Sequence, residues 1–186
     1  MKEVYKAHRE TIDTLKDEFG LTERIKPIRI QICEKANSWF MQKSEEFLDW
    51  GRDFPWTAKD LKILIGTKTF EETKLIDKTK ERIVQDTIHE TVHYLQFLRD
   101  PKLVFGKNTG ESSPGYFYRE LVAEYAGSEA MRKNKFLRNY EPYKLIWPTK
   151  SKIKLSPSDL HELCERGYYR KKEIEDWWIT NIGVLS

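Results

Sequence analysis

The sequence predicts an α+β fold, and three observations carry that reading. Short runs with the period of a strand alternate with longer runs that have the period of a helix. Gly and Pro punctuate the boundaries between them. The 186 residues suffice for one sizeable core and are too few for two.

The elements follow in chain order. Over residues 4–19, Tyr5, Ile12, Leu15 and Phe19 recur at helical spacing among charges, and Gly20 supplies the stop. After Pro27, residues 28–32 alternate as a half-buried strand does. Residues 39–50 fit a strand followed by a helix, and their periodicity does not choose between the two. Residues 61–67 read as a second strand, entered through the turn at Phe54, Pro55 and Trp56. From 78 to 99 the period becomes helical, with Ile88, Val92 and Leu95 as one stripe and Asp100-Pro101 as the end. A Gly/Ser/Asn-rich loop covers 106–115, and Ser112 or Ser113 with Pro114 starts a helix to about residue 133. Beyond Asn134 the chain reads as irregular around Pro142, Pro148 and Pro157, with helices near 158–166 and over 171–179.

Composition excludes several function classes. No apolar run approaches the roughly 18 to 20 residues of a membrane span, so no membrane partner is expected. The N-terminal stretch is charged and amphipathic, unlike a secretory signal, and the expected location is cytoplasmic. A net charge of +3, from 33 basic and 30 acidic residues interleaved throughout, does not demand nucleic acid. Cys33 and Cys164 lie far apart, without the close spacing of a zinc knuckle, and read as two reduced thiols.

The chemistry sits on the helix over 78–99. His89-Glu90-Thr91-Val92-His93 is an HExxH sequence, whose imidazoles stand four residues apart on one helical face and so reach one ion. Two neutral imidazoles suit a single Zn²⁺, which at a catalytic site takes three protein ligands and leaves a position for water. Glu90 lies about 100° around the helix from His89, facing such a water, where it can act as general base and then as general acid. By chance a chain of this size shows HExxH in roughly one case in a few hundred, so context must decide. Thr87, Ile88, Thr91, Val92, Tyr94 and Leu95 around the motif carry no charge, unlike the same stretch of a solvated surface helix.

A third ligand is needed, and acidic residues are better placed for it than the remaining histidines, His8 and His161. Glu120 and Glu124 stand four apart on the next helix, beside a ridge of small residues, Ala123, Gly127 and Ala130, that lets two helices approach closely. Either carboxylate can complete the site, and the other can hydrogen-bond a ligating imidazole. Taken without HExxH, the pair would read as a solvated acidic face.

HETVH followed by ELVAE resembles the gluzincin metallopeptidases, and the 27-residue spacing from His93 to Glu120 is similar to that of small intracellular zincins such as the minigluzincins and the ImmA/IrrE-like regulators. The match covers about residues 80–133. The resemblance implies His89, His93 and Glu120 as metal ligands of one zinc ion, Glu90 as the catalytic residue and Glu124 as the supporting group, though many relatives have aspartate there. It implies a zincin-like fold: a small mixed sheet, an active-site helix, a glutamate helix, and helical N- and C-terminal additions. The expected organisation is a single domain over 1–186, with a catalytic core at about 25–135 and a C-terminal extension over 136–186 packed on it. The strand over 61–67 would be an edge strand above the metal, where an extended peptide substrate adds by main-chain pairing.

Amide hydrolysis also needs a donor for the developing oxyanion, and Tyr116, Tyr118, Tyr125 and His161 have the chemistry. For each, core packing or plain exposure is the competing role. Tyr168 to Lys172 with Trp177 and Trp178 mixes basic and aromatic side chains, as nucleic-acid surfaces do. Docking of those aromatics onto the domain is the preferred account. The alternative function is a regulatory zinc-containing module that binds nucleic acid or a protein partner through this segment.

Overall fold

Helix α1 spans Lys2–Leu15 because its apolar residues fall on one side: Val4, Ala7, Ile12 and Leu15 are buried, with His8 and Thr11 on the same face. It tightens into a 3-10 turn over Lys16–Phe19 and stops at Gly20, whose φ of 66° is the left-handed conformation that favours glycine. In the computed structural model the described residues are 1–34, 38–42, 61–71, 74–101, 114–140, 158, 161–162 and 171–181.

Three strands form a mixed sheet in the order β1 (Arg29–Cys33), β3 (Leu61–Gly66), β2 (Trp39–Gln42). β1 runs parallel to β3 with Ile30 opposite Ile63, and β2 runs antiparallel with Phe40 opposite Ile63. β3 is therefore the central strand, and the expectation of an edge strand over 61–67 is corrected. Its backbone is paired on both sides, and Leu61, Ile63, Leu64 and Ile65 are buried, the near-continuous apolar run of a strand enclosed on both faces. A peptide cannot add to it. Of residues 39–50, the first four form β2 and the rest lie outside the described residues.

A two-stranded hairpin, β4 (Lys68–Glu71) and β5 (Lys74–Asp77), follows and was not anticipated from the sequence. The residues of β5 are all exposed, so burial imposes no apolar alternation to read. A Lys68–Asp77 ion pair of 2.6 Å closes its open end.

Helix α2 (Lys80–Arg99) begins at Thr79, whose hydroxyl accepts from the Arg82 amide at 3.2 Å, and ends at Asp100 in extended conformation. It is the centre of the molecule: α1, the following helix α3 (Pro114–Lys133), β2 and β3 all pack on it. Val84, Ile88, Val92, Leu95 and Phe97 enter the core, as do the uncharged residues Thr87, Thr91 and Tyr94 that flank the motif. The buried Asp86 ties α2 to the sheet. Its carboxylate accepts from Lys78 Nζ at 2.6 Å, Arg82 Nε at 3.1 Å and Ser38 Oγ at 3.0 Å, and Ser38 Oγ in turn accepts from the Gly66 amide at 3.1 Å.

Helix α3 buries Leu121, Val122, Ala123, Ala126, Ala130 and Met131. Gly127 of the expected ridge of small residues faces α2: a Cβ there would sit 3.4 Å from Ile88 Cγ2, an ordinary contact. Past its end, Asn134 Oδ1 accepts from the amides of Phe136 and Leu137, starting a 3-10 turn over Leu137–Asn139. The Asn134 amide also donates to Glu10 and Thr14 of α1.

Helix α4 (Lys171–Asn181) buries Ile174 completely. The loop expected over 106–115 lies outside the described residues up to 113, and of the helix expected near 158–166 only the exposed Ser158, His161 and Glu162 are described, in helical conformation. The architecture is α+β. Among the described residues no helix is long and apolar enough to cross a membrane.

Candidate metal centre

One turn of α2 carries His89 and His93, and one turn of α3 carries Glu120 and Glu124, and the two turns face each other beside the contact of Gly127 with Ile88. The imidazoles stand edge to face with centroids 4.7 Å apart and their Nε2 atoms 3.1 Å apart. Glu120 offers Oε2 to His89 Nε2 at 3.1 Å and Oε1 to His93 Nε2 at 3.3 Å. One ligand atom from each of His89, His93 and Glu120 lies within 4.8 Å of the others.

The far sides of the rings determine their protonation. Gln96 places Oε1 2.7 Å from His93 Nδ1 while its Nε2 donates to the Arg119 carbonyl at 3.0 Å, which orients the amide and puts the His93 proton on Nδ1. His89 Nδ1 faces Glu124 Oε1 at 3.5 Å, so its proton too is best placed on the outer side. Both Nε2 atoms then present lone pairs to each other and to a carboxylate, which is repulsive unless a cation lies among them. Donors about 2.0 to 2.1 Å from an ion at tetrahedral angles would be about 3.3 Å apart; here the two Nε2 atoms are 3.1 Å apart, and the two oxygens of Glu120 stand one against each ring, at 3.1 Å from His89 and 3.3 Å from His93. The residues fit a metal ion.

The electrostatics agree. Burial opposes a charge on His89, but the hydrogen bond to Glu120 and the charges of Glu90, Glu120 and Glu124 outweigh it, and its pKa is raised to about 9. Burial likewise opposes a charge on Glu120, yet the charge of His93 and hydrogen bonds with both imidazoles hold its carboxyl well below the usual range. Burial raises the pKa of Glu124, whose Oε2 is buried with no hydrogen-bond partner among the described residues. The cluster is built to hold one positive charge, a proton or a metal ion.

Glu90 is buried, close enough for its charge to act on His89. Among the phenols, Tyr118 is fully buried in the core, Tyr125 is half-buried against it, and Tyr116 lies under the Arg119 guanidinium, 4.9 Å from ring centroid to Cζ. His161 is exposed. Arg119 also donates to Glu120 Oε1 from Nε and Nη2 at 3.3 and 3.1 Å. Sequence reasoning missed Gln96 and Arg119. A buried-side glutamine three residues after His93 was the available signal for the first; Arg119 shows none.

His8, the other buried histidine, is no part of the cluster. Its Nε2 accepts from the Ile28 amide at 3.1 Å, so Nδ1 carries the proton and donates to Thr91 Oγ1 at 2.8 Å. Tyr168, Tyr169 and Arg170 lie outside the described residues, as do the side chains of Trp177 and Trp178. Comparison of the chain with family models, with curated proteins and with solved structures finds no match.

Proposed function

We propose that this protein is a zinc-dependent metallopeptidase of the zincin type, with His89, His93 and Glu120 as metal ligands and Glu90 as the catalytic carboxylate. The observation that carries the reading is the convergence of two imidazole Nε2 atoms and one carboxylate, brought together by residues from two helices. Zinc is the ion this N/N/O donor set suits, and when bound it supplies Lewis acidity that activates water and polarises a carbonyl. The mixed sheet beside α2 is in keeping with such a fold.

Glu90 follows His89 on the same helix and is largely withdrawn from solvent. It takes the proton of the attacking water and returns it to the departing amine. Glu124 faces the outer nitrogen of His89 and Gln96 that of His93, so each imidazole turns its lone pair inward. Among the described residues β2 is an outer strand of the sheet and packs on α2, so an extended peptide pairing with the sheet would do so there.

Metal analysis of purified protein should find about one zinc per chain. In a peptide-library digestion, Glu90→Gln should keep that zinc while turnover falls by about 10²-fold or more. A variant that loses the metal would move Glu90 into the ligand set, and wild-type protein without zinc would sink the reading.

A further inference from the structure

We propose that Gln96 is a positioning residue that presets both halves of the metal site before any ion arrives. It stands one turn beyond His93 on α2 and is completely buried. A buried primary amide is costly unless both its ends are engaged, and here each end is. Oε1 accepts from His93 Nδ1 at 2.7 Å, and Nε2 donates across the helix interface to the Arg119 carbonyl at 3.0 Å.

The two bonds act on different ligands. The first keeps the His93 proton on Nδ1 and leaves Nε2 bare, the only tautomer that can ligate from that atom. The second grips the α3 backbone at the residue immediately before Glu120, fixing how far the ligand carboxylate stands from the imidazoles. Because the same amide makes both bonds, the orientation needed for one is the orientation needed for the other. A side chain that merely filled this space would neither select a tautomer nor hold α3 in register with α2.

The inference rests on the metal-site reading, and its test separates the two. The probes are nitrogen–proton correlation spectra of the histidine rings in metal-free protein, and zinc affinity measured by competition with a chromophoric chelator, for wild type, Gln96→Met and Gln96→Glu. Wild-type His93 should show a protonated Nδ1 and a bare Nε2. Gln96→Met, which keeps the bulk without the acceptor, should mix the tautomers and bind zinc about 10- to 100-fold more weakly. Gln96→Glu, which restores the acceptor, should return His93 to the wild-type pattern and recover part of the affinity.

A wild-type His93 protonated on Nε2 would overturn the proposal without recourse to any variant, even if Gln96→Met failed to fold. So would a folded Gln96→Met with an unchanged ring spectrum and zinc affinity within about twofold of wild type. If wild type holds no zinc while the ring spectra change as expected, the metal reading fails and the positioning role of Gln96 stands.

Discussion

Two histidine neighbourhoods flank the same stretch of α2, and burial acts on them alike while their charge states diverge. On the α1 side, His8 is completely buried against Thr91 and the Ile28 amide, and burial alone lowers its pKa to about 4. On the α3 side, His89 meets three carboxylates that outweigh its burial and raise its pKa to about 9. The first ring is a neutral strut; the second is a seat for a cation. Burial opposes a charge on both rings, and the counter-charge beside each decides between them.

The strongest way to break that contrast is to remove the counter-charge. Glu120→Gln deletes the carboxylate proposed as a ligand and should weaken zinc binding by about 100-fold or more. In metal-free protein it should also lower the His89 titration midpoint by about one unit or more, toward the behaviour of His8. Unchanged zinc affinity would pass the ligand role to Glu124 or another group.

Next in size is the strut itself. His8→Ala removes a buried ring and leaves Thr91 Oγ1 and the Ile28 amide short of a partner, which should cost about 2 to 4 kcal/mol in denaturant unfolding. His8 also predicts an acid limit. Its folded pKa of about 4 lies below the unfolded value of 6.5, so between them the unfolded chain binds more protons and stability rises with pH. The contribution, about 3 kcal/mol, is fully present above about pH 6.5 and is lost as pH falls to about 4. His8→Ala should remove that slope; a variant as acid-sensitive as wild type would assign the slope elsewhere.

The smallest effect concerns the helix contact beside the two sides of the candidate metal site. An alanine Cβ at 127 would meet Ile88 at an ordinary contact distance of 3.4 Å, and alanine favours a helix over glycine. Gly127→Ala should therefore be neutral or stabilising by up to about 1 kcal/mol, with zinc affinity unchanged. A large loss of affinity would mean that α2 and α3 tolerate no separation at all.

Much of the candidate metal centre is legible along the chain because helices are local. HETVH at one turn and ELVAE at another disclose His89, His93, Glu120 and Glu124 through spacing alone, and the uncharged residues around the motif announce a buried helix. The strand runs after Pro27 and before Thr67 were readable by the same local logic. The order of the strands was not, since pairing depends on residues about thirty positions apart, and a central β3 overturns the edge that the family resemblance implied. The β4–β5 hairpin was invisible because nothing in β5 needs burying.

Sequence by itself determined which side chains one helical turn presents together, because i to i+4 geometry is a property of the backbone. Only the tertiary structure decided what those side chains face. It made His8 a neutral strut and set Gln96 between His93 and the α3 backbone, and it gave His89 three carboxylates for neighbours. The physical reason is range: periodicity is written within a few residues, whereas desolvation and counter-charge are supplied by segments that meet only when the chain has folded.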